Sequence, residues 1–473
     1  MRAEATARAA RLAVSVVTAT AASGCLLGPD YARPGVEVPA SYGPGGSPAP
    51  APPIEQAWWR LFDDPTLTFL EEEALAANQN LQVALAHVVE ARATARITAS
   101  QFYPVLTFDP SFTAQHLSAN RPATGNFQIK GINIKDIQIP FDLSYELDLW
   151  GKIRRSVESS ADVALATQSD ADTVALTLTA DVALQYFTLR SLDDQLAILE
   201  ATIRVYGEQV HVEQIRQSAG IVSDLDLYQA QTQLRSAQAQ EADTLRQRHD
   251  TEHALAVLCG RAAPDFRIAP ATTTAQRAAP EVPAGVPSEL LERRPDIASA
   301  EANLASANAE IGVAETLFFP SVQIFAVAGL ESADAATLFT WPSRAASVGP
   351  SISMPIFEGG RLRGNLDAAR ARYDQAVGSY RQTVLAAFQE VEDALTDVQQ
   401  RGVQQTALDQ AVVAAGQAAK VARIQYQSGI VDYLEVVVTE QARLTLELQQ
   451  AQVAQQRQIA AVALVKSLGG GWR

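Results

Sequence analysis

The sequence predicts a mixed α/β membrane protein, a trimer whose twelve-stranded β-barrel is continuous with a long α-helical coiled-coil tunnel. Three observations predict this fold. Four segments alternate polar and apolar residues, two segments of about 67 residues lack proline and a clear glycine stop, and the chain contains two internal repeats. Four strands per chain cannot close a barrel alone, so oligomerisation is implied, and three chains would supply twelve strands.

The composition excludes several classes of protein. The 473 residues carry 53 acidic and 37 basic side chains, a net charge of -16, which argues against nucleic acid as a partner. Cys25 and Cys259 are the two cysteines, and the five histidines are scattered, so neither a disulfide framework, a metal site nor a cofactor is expected. No phosphate-binding glycine loop, nucleophile elbow or pair of catalytic carboxylates is evident, which predicts that the protein is not an enzyme.

The N-terminus predicts secretion and a lipid anchor. Residues 1–24 have a basic start and a short apolar stretch, Leu12 to Ala22, as a signal peptide does. Ala22-Ser23-Gly24-Cys25 matches the cleavage pattern of bacterial lipoproteins, which would make Cys25 the acylated N-terminus. Leu26 then favours release to the outer membrane. An ordinary signal peptide with a chance cysteine is the alternative.

Landmarks recur along the chain and define two copies of one unit. Phe102-Tyr-Pro104 recurs 216 residues later as Phe318-Phe-Pro320. Gln217-Ser-Ala-Gly220-Ile-Val222 recurs as Gln427-Ser-Gly429-Ile-Val431, and the two glycines are 209 residues apart. Each copy is predicted to contain a helix, two strands, a long helix and a shorter return helix.

The predicted domains follow from these repeats. They are a signal peptide (1–24), a lipid-anchored arm (25–66), repeat 1 (67–262), a linker (263–287), repeat 2 (288–468) and a C-terminal tail (469–473). Repeat 1 has a helix from Leu70 to Ile97, strands at about 104–116 and 131–148, and helices at about 152–218 and 222–258. Repeat 2 has a helix from Glu289 to Thr316, strands at about 320–330 and 345–357, and helices at about 362–428 and 431–468.

The strands have one apolar and one polar row. In the second strand the apolar row is Ile137, Ile139, Phe141, Leu143, Tyr145 and Leu147, and it alternates with Gln138, Asp142, Ser144, Glu146 and Asp148. Strands of this length match a tilted membrane span with the polar row lining water. An ordinary sandwich sheet with one wet face is the alternative.

The long helices show coiled-coil spacing. Apolar residues step by four and three positions at Leu192, Leu196, Leu199, Ile203, Tyr206 and Val210. About 67 residues at 1.5 Å per residue reach roughly 100 Å, which exceeds the need of a compact core. A pre-strand helix and a return helix can together stack along each long helix, so a trimer would have twelve helical columns.

Several motifs resemble those of one family. They are Gly24-Cys25 with Gly28-Pro-Asp-Tyr31, Trp58-Trp59 with Phe62-Asp-Asp-Pro65, Tyr145-Glu-Leu-Asp-Leu-Trp-Gly151-Lys-Ile-Arg154, and Arg293-Arg-Pro-Asp-Ile297 with Ala300-Glu301 and Phe318-Phe-Pro320. Across the mature chain the sequence resembles the TolC-type outer-membrane factors, in the lipoprotein branch typified by OprM and NodT. The resemblance implies a homotrimeric exit duct in the outer membrane that spans the periplasm. It also implies docking onto a periplasmic adaptor and an inner-membrane pump, commonly of the RND type.

Two glycine turns are the predicted docking tips. Gly220, Ile221, Val222 and Ser223 form one, and Gly429, Ile430 and Val431 form the other. Their apolar residues stand where an exposed turn would favour polar ones, which suggests an adaptor contact. A glycine-permitted turn with a hydrophobic contact across the helix end is the alternative.

The resemblance also implies a periplasmic gate. It places Tyr426 against Asp226 as a link that closes the entrance, and it places Glu435 in an acidic ring. Val431 and Val438 depart from the family pattern, at its tip arginine and its second acidic position. Without the resemblance, these residues read as ordinary solvated or coiled-coil positions. Trp150 and Trp341 are expected either at membrane interfaces or in ordinary packing.

Two other functions remain open from the sequence. One is a type I protein-secretion duct, which the lipoprotein motifs disfavour, and the other is an envelope scaffold without a channel, which the amphipathic strands disfavour. The cargo cannot be read from one chain. Drugs or other small amphiphiles are the expectation, although the negative charge would favour cations in the lumen.

Overall fold

The structure is a computed structural model that describes residues 26–39, 41–43, 55–120, 131–271, 279–282 and 287–471. The chain divides into two compact units. The first comprises the described residues of Met1–Pro34, Val89–Ala166 and Glu301–Ser379. The second comprises those of Gly35–Val88, Thr167–Ala300 and Tyr380–Arg473.

The described residues form helices and strands in the order α-α-β-β-β-α-α-α-α-β-β-α-α. The helices are α1 (Pro65–Ala77), α2 (Gln79–Ala99), α3 (Lys152–Ser218), α4 (Asp224–Leu258), α5 (Pro287–Arg293), α6 (Pro295–Thr316), α7 (Arg361–Gln427) and α8 (Tyr433–Ser467). The strands are β1 (Val105–Phe108), β2 (Ser111–Leu117), β3 (Ile132–Leu147), β4 (Ser321–Ser332) and β5 (Arg344–Ser353). Both α3 and α7 contain 67 residues, and both α4 and α8 contain 35.

The helix before each pair of strands is broken, where the sequence predicts one continuous helix. Asn78 separates α1 from α2, and its side-chain Oδ1 accepts a hydrogen bond from the Leu81 backbone N–H at 3.0 Å. This bond caps the new helix and makes the break favourable. Pro295 begins α6 in the second half, since proline lacks the N–H that a continuous helix would need there.

The first unit contains one antiparallel sheet. Its order is β1-β3-β4-β5, and β2 pairs with the same edge of β3 as β1 does. The pairs Phe108↔Phe141 and Ser111↔Gln138 share one register, so β1 and β2 occupy a single strand position. Pro110 lies in the gap between them, and it cannot donate a ladder hydrogen bond.

The registers place the apolar rows of all strands on one face of this sheet, because side chains alternate along a strand. Successive rungs of that face are Leu147–Val322–Ile352, Tyr145–Ile324–Pro350, Leu106–Leu143–Ala326–Val348 and Phe108–Phe141–Ala328–Ala346. The face is open: Val348 is 78% exposed and Phe112 is 64% exposed. We call it the apolar face and the other the polar face.

The N-terminal arm is bound within the first unit. The Leu27 N–H donates to the Trp150 carbonyl oxygen at 3.1 Å. Arg155, which is buried, donates to the carbonyl oxygens of Leu27 at 3.1 Å and Gly28 at 3.2 Å and to the Asp30 carboxylate at 2.8 Å. The arm is therefore anchored by backbone as well as side-chain contacts.

The second unit has an aromatic core. Trp58, Trp59 and Phe62 are buried, and they belong to the same cluster as Val182 of α3 and Val465 of α8. Asp64 caps α1 by accepting from the backbone N–H groups of Thr66 and Leu67. The tryptophan and Asp-Asp-Pro motif is thus structural, because it packs and starts the first helix.

Buried charges hold the segment that follows α4. Asp193 is fully buried, and it accepts hydrogen bonds from Arg248 at 2.7 Å and from the Ala271 backbone N–H at 3.1 Å. Arg248 also donates to the Ile268 carbonyl oxygen at 2.7 Å. Since each buried charge has a partner, the network can be accommodated in the core.

Candidate functional site

Two matching turns close the helix hairpins of the second unit. After α3, the N–H of Ile221 donates to the Arg216 carbonyl oxygen at 2.9 Å, and Gly220 has a φ of +73°. After α7, the N–H of Ile430 donates to the Gln425 carbonyl oxygen at 2.9 Å, and Gly429 has a φ of +71°. Both are Schellman closures, which favour glycine because its conformation is left-handed.

The apolar residues of these turns are exposed to different degrees. Ile221 is 67% exposed and Ile430 is 70% exposed, whereas Val222 and Val431 are half-buried. Exposed isoleucines at a helix end are unfavourable in water unless another surface covers them. Each turn thus exposes one isoleucine side chain.

Asp226 belongs to the start of α4. Its carboxylate accepts from both the backbone N–H and the hydroxyl of Ser223, each at 3.3 Å, in a capping box. Asp432 is the N-cap of α8, the position that Ser223 holds before α4. Glu435, which lies 209 residues after Asp226, is exposed. The two predicted acidic residues therefore occupy the first turns of the two return helices.

Tyr426 hydrogen bonds to Glu213 within the chain, and Asp226 is engaged in the cap. The Tyr426 hydroxyl donates to Glu213 Oε2 at 2.8 Å. Arg216 reinforces this pair, since its guanidinium lies 4.7 Å from the Tyr426 ring centroid and 3.6 Å from the Glu213 carboxylate. The ends of α3 and α7 are thereby joined by a charge-assisted hydrogen bond.

Glu213 was not among the residues predicted from sequence, although the sequence contains a signal for it. The heptad run that ends at Tyr206 and Val210 continues with a step of three to Glu213. A carboxylate at a seam position of a coiled coil is buried and needs a partner. Glu213 is indeed only 2% exposed.

The tyrosines of this cluster stay protonated. Burial raises the pKa of Tyr426 above its ordinary value, and the hydrogen bond to Glu213 raises it further. Burial is also the main cause of the raised pKa of Tyr433, whose ring centroid lies 5.2 Å from that of Tyr426. Tyr426 can therefore act as a hydrogen-bond donor throughout the neutral range.

A second polar layer joins α7 and α8. Glu440, which is 2% exposed, accepts from Arg423 of α7 and from Arg443 Nε at 2.9 Å. Burial, followed by the nearby Glu440 carboxylate, raises the pKa of Tyr206 to about 12. The hairpins thus pack through buried polar groups as well as through apolar residues.

The remaining predicted positions lie elsewhere. Cys25 is outside the described residues, and Cys259 is buried in the core of the second unit. Trp150 donates a hydrogen bond from Nε1 to the Pro320 carbonyl oxygen at 2.7 Å, so it is held by a contact within the chain. Trp341, in contrast, is 75% exposed. Within the described part of the chain, no three or more His, Cys, Asp or Glu side chains are arranged so that they could hold a metal ion.

No helix among the described residues is both long and apolar enough to cross a membrane.

A family model described as outer membrane efflux protein matches residues 70–261 and 286–470. The chain belongs to the outer membrane efflux protein family. The family predicted from the motifs is thereby confirmed. Members of this family are efflux channels rather than enzymes, and they work with an adaptor and an inner-membrane pump. This efflux protein is accordingly the outer-membrane channel of such a system.

Relatives match over nearly their whole length. The solvent efflux pump outer membrane protein SrpC of Pseudomonas putida is 35% identical, covering 95% of this chain and 96% of its own. The cation efflux system protein CusC of Escherichia coli is 32% identical, covering 96% and 97%. Outer membrane protein OprJ of Pseudomonas aeruginosa is 30% identical, covering 97% and 95%.

Solved structures of outer-membrane channels have the same fold. The channel OprN matches with a TM-score of 0.88 and 31% identity, covering 95% of this efflux protein and 100% of OprN. The open state of MtrE from Neisseria gonorrhoeae matches with a TM-score of 0.83 and 27% identity, covering 95% and 99%.

Proposed function

We propose that three copies of this efflux protein, each anchored through acylated Cys25, form a gated exit duct. Each chain would contribute four strand positions of a twelve-stranded barrel, and the helices would wall a periplasmic tunnel. The observation that carries this proposal is the division of the sheet into an apolar and a polar face. An exposed apolar face suits lipid and the polar face suits water, as in membrane barrels.

The two glycine turns are the proposed adaptor contacts. Ile221 and Ile430 are exposed and lie at the ends of helices of equal length, with the same backbone closure. This match also supports two structural repeats. A periplasmic adaptor would cover both isoleucines, and an inner-membrane pump, of the RND type, would supply the energy.

The proposed gate is centred on Tyr426. Its bond to Glu213 restrains the end of α7 against α3, so breaking it would free the α7–α8 hairpin to move. Asp226 and Glu435 would contribute acidic charge at the entrance. Glu213 and Tyr426 line a cleft of about 180 Å³, together with Arg216 and Tyr433.

Small organic molecules are the proposed cargo. SrpC is named for solvents, and the 35% identical TtgI of the same species is named for toluene. CusC is named for cations, so cations are the second candidate. The four strand carboxylates on the polar face, Asp136, Asp142, Glu146 and Glu331, would be compatible with cations.

Single-channel conductance in a planar bilayer, together with the mass of the detergent-solubilised protein, tests this proposal. We expect three chains per particle and a small conductance that grows when Tyr426→Phe is introduced. A monomer, or a bilayer that stays silent with both proteins, would overturn the duct and favour a scaffold lipoprotein.

A further inference from the structure

The strand registers place the acidic and the basic strand residues on opposite faces of the sheet. The acidic side chains Asp136, Asp142, Glu146 and Glu331 all lie on the polar face, whereas Lys135 and Arg344 lie on the apolar face. A cation on an apolar face is costly unless it meets an anion or water. The presence of two such cations there calls for a physical explanation.

Both cations lie near one end of the sheet. Lys135 is the fourth residue of β3, and Arg344 is the first residue of β5. Each of these strands is antiparallel to β4, so they run in the same direction and begin at the same end. We call this the loop end, because it carries the connection from β4 to β5.

The connection presents aromatic rings at the loop end. Phe339 is 79% exposed and Trp341 is 75% exposed. They belong to a turn held by its own hydrogen bonds, since the Ser343 hydroxyl donates to the Thr337 carbonyl oxygen at 2.8 Å, and the Thr340 N–H donates to the same oxygen at 3.0 Å. Their exposure is thus built into the fold of the turn.

Arg344 and Trp341 form one unit. The Arg344 guanidinium lies 3.3 Å from the Trp341 ring centroid, which is a cation–π contact. Within the described ranges, neither Arg344 nor Lys135 has a carboxylate within ion-pair distance. Both cations are therefore available to an external anion.

We infer that the loop end binds the phosphate groups of membrane lipids through Lys135 and Arg344, with Trp341 and Phe339 at the boundary of the acyl chains. The order along the apolar face is aliphatic rungs, then aromatic rings and cations, which is the order of acyl chains and phosphates in a lipid leaflet. A soluble partner would not require continuity with the apolar rungs. This inference rests on the proposed membrane-embedded duct.

Quenching of Trp341 fluorescence by brominated lipid tests it. The full chain is reconstituted into vesicles of phosphatidylcholine and phosphatidylglycerol, with bromine on the chains of one lipid or the other. The Trp341 signal is the difference between matched preparations of the Trp341→Phe variant and its parent. We expect brominated phosphatidylglycerol to quench more strongly, with an enrichment of about fivefold per cation.

Substitutions that remove or keep the positive charges distinguish an effect of charge from an effect on folding. Lys135→Gln with Arg344→Gln should abolish the preference for phosphatidylglycerol, and Arg344→Lys should keep much of it. Arg363→Gln removes an exposed cation of α7, the helix that follows the other end of β5 from the loop end, and it should leave the preference intact.

Equal quenching by both lipids in the parent protein would overturn the phosphate site. Quenching of Trp341 by aqueous iodide in place of lipid would also overturn it and would leave the turn to a soluble partner. Conductance in the same lipids distinguishes the two proposals. A protein that conducts but shows no preference for phosphatidylglycerol refutes the phosphate site alone. A protein that does not conduct refutes the proposed duct.

Discussion

Arg294 donates from Nη1 to the backbone carbonyl oxygen of Ser467 at 3.0 Å, joining the break between α5 and α6 to the end of α8. The first half of the chain has the same arrangement. Asn78, at the break between α1 and α2, donates from Nδ2 to the Leu258 carbonyl oxygen at the end of α4 at 2.9 Å. At the ends of both α4 and α8, one backbone carbonyl oxygen without a partner inside its helix thus accepts a hydrogen bond from the side chain at a helix break.

Replacing Arg294 should destabilise the second unit. Arg294 is 8% exposed and also pairs with Asp296 at 2.6 Å and Glu390 at 2.7 Å. The Asp296 and Glu390 side chains are 32% and 56% exposed, so the main cost of Arg294→Ala is the buried Ser467 carbonyl oxygen that loses its donor. Such a loss costs about 1–3 kcal/mol, and we expect Arg294→Ala to lower the melting temperature in detergent. Arg293→Ala is the control, since Arg293 is more exposed and, among the described residues, forms an ion pair only with Glu289. Equal effects of the two changes would contradict the assignment.

Breaking the Tyr426–Glu213 bond should open the channel. A hydrogen bond to a charged group contributes about 1.5–3 kcal/mol, so Tyr426→Phe should raise open probability roughly tenfold in planar bilayers. Glu213→Gln should act in the same direction, and the double variant should add little to either single change. Tyr228→Phe, on the exposed side of α4, should have no effect. Additive effects would show that the two residues act separately.

Glu71 should make stability depend on pH. It is fully buried, neither carboxylate oxygen has a partner among the described residues, and burial raises its pKa well above the ordinary 4.5. The folded state therefore keeps the proton while the unfolded state ionises. The contribution of protonated Glu71 to the free energy of unfolding is fully present below about pH 4.5, and it is lost as the pH rises towards the pKa of the folded state.

Glu71→Gln should remove that dependence. The variant should melt a few degrees above the parent at pH 8, and the difference should disappear at about pH 4. Glu72→Gln is the matched control because Glu72 is largely exposed and pairs with Arg60 at the surface. Parallel melting curves of parent and Glu71→Gln across this range would refute the prediction.

Gly28→Ala should release the N-terminal arm. An added Cβ would lie 2.3 Å from the Gly312 Cα, and Gly28 has a φ of +89°. The left-handed conformation alone costs alanine about 1–2 kcal/mol, so chymotrypsin should cut after Tyr31 about tenfold faster. Gly35→Ala, where no atom lies within 4 Å of the added Cβ, should leave the rate unchanged. An unchanged rate in Gly28→Ala would show that the arm tolerates the shift.

The hydrogen-bond partner of Tyr426 could not be predicted from the sequence. The resemblance implied a link from Tyr426 to Asp226, and within the chain the hydroxyl meets Glu213 while Asp226 caps α4. A capping box can be predicted from the sequence because it is local, and here Ser223 precedes Asp226 by three residues. The bond from Tyr426 spans 213 residues, so no local pattern specifies it.

The sequence by itself determined the local features and the family. Alternation indicated the strands, heptad spacing indicated the long helices, and glycine marked the turns after α3 and α7, because backbone preferences act over a few residues. Only the tertiary structure decided which face of the sheet carries Lys135 and Arg344 together, and which buried carboxylate receives Tyr426. Those relations depend on strand register and helix packing between distant segments, where the cost of burying an unpaired charge selects the partner.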